Sequence, residues 1–133
     1  MTVREVLETH PHPAGGDLDA RVRCIEACSE CGITCTSCSD ADLAESDVQE
    51  MVRCIRLCLD CADVCDTTRR VVTRQTEADV GVVRAALEAC IVACRGSREE
   101  CERHADHHEH CRICAEVCGR CEQACADLLA SIG

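Results

Sequence analysis

The stretch CIEACSECGITCTSC, residues 24–38, decides how this chain folds. Its cysteines, Cys24, Cys28, Cys31, Cys35 and Cys38, are spaced 4-3-4-3. Alternating steps of three and four keep side chains on one face of an α-helix. These cysteines are therefore seam residues, at the positions where a helical bundle ordinarily places Leu and Ile. The same beat returns at Cys54, Cys58, Cys61 and Cys65. It returns again at Cys90, Cys94, Ser97 and Cys101, where His104 and His108 extend it. A last run, Cys111, Cys114, Cys118, Cys121 and Cys125, is spaced 3-4-3-4. Four thiol-faced helices in one short chain predict an all-α protein: an antiparallel four-helix bundle with a Cys-lined core, plus a short N-terminal helix.

Outward from these stripes, residues 2–9 read as a short amphipathic helix with Val3, Val6 and Leu7 on one face. The sequence HPHPAGG, residues 10–16, ends it, because Pro and Gly punctuate there. The expected division is residues 1–16 as an N-terminal helix and linker and residues 17–133 as the bundle, with helices over about 17–39, 46–75, 76–106 and 109–132. Asp17 is a good N-cap. Ser39 to Asp42 reads as a turn, and Ser46 to Gln49 has the capping-box pattern. The last helix junction falls where the beat slips between His108, Cys111 and Cys114. The N-terminal segment reads as a lid or an oligomer contact, with His10 and His12 as metal ligands the lesser reading.

Composition narrows the function. Cysteine makes up 17 of 133 residues, a level that in short secreted chains signals a disulfide scaffold. The first ten residues hold no apolar signal region and no twin-arginine motif, and no stretch approaches a membrane span. The expectation is a soluble cytoplasmic protein with reduced thiols, and an odd cysteine count fits complete pairing poorly. Phe, Tyr and Trp are absent, so small Cys side chains replace the usual aromatic core and leave room for something other than carbon. The net charge of −11 argues against nucleic-acid binding.

Short connections make successive helices antiparallel neighbours. That places Cys38, Met51, Cys54, Cys101, His104, His107, His108, His110 and Cys111 at one end. The other end collects Cys24, Cys65, Cys90 and Cys125 under a hydrocarbon cap of Val72, Val83, Leu87, Leu128 and Ile132. A second apolar set, including Val22, Ile25, Ile33, Val52, Ile55, Leu59, Val64, Ile91, Ile113 and Val117, lies off the seam, for packing between helices or a homo-oligomer interface.

Thiolates in this arrangement point to soft metal ions. Seam neighbours have Cβ atoms about 5–6 Å apart, and two metal–sulfur bonds of about 2.3 Å span a comparable gap. Adjacent thiolates on one helix can thus share an ion, with third ligands from facing helices. A zinc site with four thiolates keeps a charge of −2, and a core filled that way would bury several net charges. With bridging thiolates and about one Cu(I) per thiolate, the filled core is nearly neutral. Iron–sulfur ligation favours looped spacings that do not occur here. Zinc or cadmium sequestration stays open as an alternative, as does a thiol-based redox sensor, although no cysteine stands out with a lowered pKa. A di-iron enzyme would need paired Glu-x-x-His motifs, which the chain lacks. His104, His108, His110 and Met51 read as softer or weaker ligands where metal passes in and out; His107 and His110 are equally well solvated turn residues, and Met51 equally well ordinary core filling.

The Cys-x3-Cys-x2-Cys-x3-Cys runs (Cys28–Cys38, Cys54–Cys65, Cys114–Cys125), the Cys-poor third helix and the His-rich turn after it resemble the bacterial cytosolic copper-storage proteins. The resemblance covers about residues 17–130. It implies storage of many Cu(I) ions rather than catalysis, a homotetramer of bundles, and copper ions as the cargo, with a copper chaperone as donor. It also implies that the His-bearing mouth is where copper passes. Ser97 departs from the thiol stripe, which implies fewer ions in that layer.

Overall fold

The protein is seen in a computed structural model that describes residues 2–132. Helix α1 spans Thr2–Glu8, α2 Leu18–Ala44, α3 Val52–Thr73, α4 Val80–His104 and α5 Glu109–Ser131; a 3-10 turn at Val48–Glu50 precedes α3. The four long helices form a ring in which α2 and α4 each pack against both α3 and α5. The sulfurs give the directions. Cys24, early in α2, meets Cys125, late in α5, while Cys38 near the other end of α2 meets Cys111 at the start of α5. The bundle is therefore antiparallel.

Helix ends follow from local chemistry. Asp17 caps α2 by accepting a hydrogen bond from the Ala20 amide at 3.0 Å, just after Gly16, whose φ of +98° turns the linker into the helix. Asp79 caps α4 in the same way through the Val82 amide, so this helix starts after Asp79 rather than near residue 76. Two further boundaries differ from the sequence reading. Helix α2 does not turn at residues 39–42 but continues to Ala44. Ser39 donates to the Cys35 carbonyl and Asp42 turns inward, so this polar run continues the seam. The capping box at Ser46 does not form either. Asp47 makes no cap bond; its Oδ2 turns to His108 across the mouth, and α3 begins at Val52.

The core is the seam. All seventeen cysteines are buried, none more than 2% exposed. At one end Val72, Leu87 and Leu128 close the column and Val83 is buried beside them, with Ile132 partly buried against the core. Of the off-seam apolar residues, Val22, Ile25 and Val117 are buried and Ile55, Val64 and Ile91 pack partly against the core. Ile33, Val52, Leu59 and Ile113 face outward, Ile33 at 73% exposure.

The N-terminal segment straps across the hydrocarbon end. Leu7 enters the core and Val3 packs against it, whereas Val6 points outward, so the predicted three-residue apolar face is really two. Gln75, itself buried, holds the strap with both amide atoms: Oε1 accepts from the Ala14 amide at 2.8 Å and Nε2 donates to the Leu7 carbonyl at 3.3 Å. His10 is pegged by Thr76 and by the His12 amide, which occupies both ring nitrogens and makes it a structural contact rather than a ligand.

Candidate metal centre

The sulfur atoms form one connected column. From the closed end, Cys24 meets Cys125 at 3.8 Å, Cys125 meets Cys28, and Cys28 meets Cys90 at 3.9 Å and Cys121 at 3.7 Å. Cys65 joins Cys90, Cys94, Cys121 and Cys61. Cys31 then reaches Cys61, Cys118 and Cys35, and Cys35 lies 3.5 Å from Cys118 and 3.7 Å from Cys114. Cys58 carries the column to Cys114 and Cys101, and Cys101 to Cys54. Contacts within a helix, such as Cys31–Cys35, Cys61–Cys65, Cys90–Cys94 and Cys114–Cys118, join residues four apart.

These spacings suit metal. Three sulfurs around one ion at about 2.3 Å would sit about 4.0 Å apart, and the contacts run from 3.5 to 4.0 Å. Cys31, Cys65, Cys94 and Cys121, one from each long helix, have all their sulfurs within 4.8 Å of one another. So do Cys28, Cys90, Cys121 and Cys125, and Cys38, Cys54, Cys58 and Cys101. All the cysteines are free thiols. Neighbouring sulfurs push several of them up in pKa: Cys54 chiefly through Cys101, and Cys65 and Cys125 chiefly through Cys121, with burial acting the same way. Others are pushed down by the same neighbours, Cys58 chiefly through Cys101 and Cys90 chiefly through Cys121, so the thiols of the column do not share one protonation state.

Ser97 stands in the middle. Wholly buried, its hydroxyl lies 3.4 Å from Cys118, 3.5 Å from Cys58 and 3.8 Å from Cys35. A hard oxygen replaces a soft ligand at this level. The sulfur path passes beside it through Cys35, Cys114 and Cys58.

The mouth gathers the predicted histidines unevenly. His110 meets the column directly: its Nδ1 is 3.3 Å from Cys38 and 3.6 Å from Cys111, while its Nε2 is 2.8 Å from Glu45. Burial opposes a charge on this ring, but Cys38 and Glu45 outweigh it and raise its pKa to about 9. His108 stacks on His110 with centroids 5.5 Å apart and bonds to Asp47 and Glu45. Its pKa is raised, chiefly by Asp47. His104 turns to Glu100 at 3.0 Å, one shell out from the thiols. His107 is exposed, and Met51 is completely buried at the start of α3.

The sequence reading missed the acidic members of this mouth. Asp42 is fully buried, with Oδ1 at 3.6 Å from Cys111, and burial raises its pKa to about 7. Glu45, Asp47 and Glu100 hold the imidazoles from outside. A signal existed: Asp42 follows Cys38 by four, on the beat of the stripe.

A family model described as copper storage protein matches residues 18–130. Among solved structures, the Streptomyces lividans copper storage protein Ccsp loaded with 10 copper equivalents is 50% identical, with a TM-score of 0.95 over 97% of this chain and 98% of that one. The same cytosolic protein with five coppers is 51% identical, with a TM-score of 0.85 over 86% of this chain and 96% of that one. A mutant of it with two histidines replaced by alanine is 50% identical, also with a TM-score of 0.85 over 86% and 96% of the two chains. No curated protein matches the chain.

Proposed function

The chain belongs to the copper storage protein family, and we propose that it holds many Cu(I) ions in the cytoplasm as thiolate clusters along the sulfur column. The observation that carries this is the run of buried, free thiols in mutual contact from Cys24 to Cys54, which Cys38 and Cys111 extend at the mouth with sulfurs within 4.8 Å of Cys54. A catalytic site needs one or two activated groups; this column offers seventeen equivalent ones, so the role is storage rather than catalysis. The cysteines are the ligands of the interior. His104, His108, His110 and Met51 serve the mouth, where weaker donors let ions exchange before they reach thiolates. Residues 17–133 form the storage unit and residues 1–16 its strap.

Charge favours copper over zinc or cadmium. Each Cu(I) offsets about one bridging thiolate, whereas divalent ions in four-thiolate shells accumulate negative charge in a dry core. Ile33, Val52, Leu59, Val92 and Ile113, all exposed on the long helices, support a homotetramer. Copper would arrive from a chaperone by ligand exchange at the mouth.

The test is an anaerobic titration of the reduced chain with Cu(I) against a chromophoric chelator. Storage predicts saturation near one Cu(I) per cysteine. Saturation at one or two ions would make the protein a carrier instead. Equal competition by Zn(II) for the same thiols would overturn the choice of metal. Light scattering checks the assembly, expected at four times the chain mass.

A further inference from the structure

Far from the mouth, at the closed end, a buried cation stands without an anion. Arg21, in the first turn of α2, is 8% exposed and is the one buried arginine among the described residues. Its Nη1 donates to the Val72 carbonyl at 2.7 Å, in the last turn of α3. That bond uses one of the five N–H groups of a guanidinium, and a helix end offsets only part of its charge. Among the described residues no hydrogen bond or ion pair joins Arg21 to a carboxylate. Burial lowers its pKa, and what pulls the other way is the Cys24 thiol, not an acid. Arg98, Arg112 and Arg120 lie nearer to solvent, where a partner matters less, yet each holds a glutamate. A buried charge left unmatched is costly and calls for a counter-ion.

The space for one is there. Arg21 lines two adjoining cavities of about 440 Å³ and 230 Å³ between the strap and the bundle, which share Ala14, Gly15 and Gln75 as walls. Ala78, Val80, Val83 and Ile132 line the rest of the larger one, with Gly16 and the exposed Glu77. Gly15 and Gly16 leave their side open: a Cβ on either would meet nothing within 4 Å. A cavity of this size, apolar but for one fixed polar group, has the usual make of a small-molecule site.

We propose that the larger cavity binds a small organic monoanion, a carboxylate with a short hydrocarbon tail. The carboxylate pairs with Arg21, whose planar fork matches it, and the tail lies along Val80, Val83 and Ile132. Charge sets the preference for a monoanion. One guanidinium balances one negative charge, while Glu77 in the wall and Asp79 at the start of α4 would repel the excess charge of a phosphate. The ligand would bridge the strap, α2 and α4. The site uses no thiol and no residue of the mouth, so it goes beyond the storage reading and is separable from it.

Octanoate is the probe, followed by calorimetry and by the Arg21 side-chain N–H signal in NMR spectra of the reduced, metal-free full chain. One octanoate should bind per chain and shift that signal. Octanol, which has the tail without the charge, and phosphate, which has the charge without the tail, should each bind at least tenfold more weakly. Arg21→Gln should weaken octanoate at least tenfold. So should Val80→Asp, which sets a like charge beside the tail at a position 58% exposed. Absence of saturable binding at millimolar octanoate, wild-type affinity in Arg21→Gln, or octanol or phosphate binding as tightly as octanoate overturns the proposal. If Arg21→Gln does not fold, as judged by its helical circular dichroism, Val80→Asp decides alone. Full copper loading with no octanoate site would remove this inference and leave storage standing; an octanoate site in a chain that takes up few Cu(I) ions would do the reverse.

Discussion

At the closed end the seam runs out through Thr68 and Val72 on α3 with Gln75 just beyond its end, Val83 and Leu87 on α4, and Leu128 on α5, with Leu7 of α1 joining the same core. At the mouth the same beat carries Asp42 on α2 and His104 on α4, and His108 and His110 flank the start of α5. Both ends obey one helical phase, and both are tightly filled. They differ in what an arriving ion would meet. Hydrocarbon offers no ligand, so an ion cannot be handed through it. Imidazole, thioether and carboxylate offer a graded series toward thiolate. Periodicity therefore decides where side chains point, and residue type decides which end offers donor atoms.

That contrast can be broken. The largest effect is expected at the sealed end: Leu87→Ala removes a wholly buried side chain and should cost about 2–5 kcal/mol in urea unfolding of the metal-free chain. Its copper uptake rate should stay as in the wild type; a faster rate would mean that the plug is a second door. At the mouth, His104→Ala combined with His108→Ala should slow loading and chelator withdrawal severalfold in stopped-flow while changing capacity by no more than about two ions. Unchanged kinetics would erase the difference between the ends.

A smaller effect concerns pH. Asp42 is raised to about 7, so between about pH 4 and 7 the folded chain keeps a proton that the unfolded chain has lost, and stability falls as pH rises. His110, raised to about 9, contributes stability in full below about pH 6.5 and loses it as pH climbs to 9. The melting temperature of the metal-free chain should accordingly decline from pH 5 to pH 9, and Asp42→Asn should flatten the portion below pH 7. A rising curve would contradict both assignments. The smallest change is at the centre: Ser97→Cys restores the interrupted row and should add about one Cu(I) per chain by titration.

Much of this was legible in the sequence, because a repeat of four and three admits one structural reading. The four rows, their antiparallel order and the hydrocarbon plug followed from Cys, Leu and Val positions alone. Two local signals misled. Ser39 to Asp42 has turn composition, yet Ser39 bonds back to the Cys35 carbonyl and Asp42 turns inward, so the helix continues. Ser46 to Gln49 has capping composition, yet Asp47 is drawn to His108, a partner 61 positions away that no local pattern encodes. The outward turn of Val6 likewise depends on packing between helices, whereas the pairing of His104 with Glu100 is an i, i+4 contact within α4 that the spacing already encodes.

The interlocking sulfur contacts have a consequence for scale. Because each helix presents two seam positions per seven residues, inserting one such block into all four helices would add about eight ligand positions without disturbing either end. The column behaves as an extensible rack whose capacity is set by its length. The strap, the plug and the acidic mouth are end-fittings, portable to a longer or shorter version of the same rack.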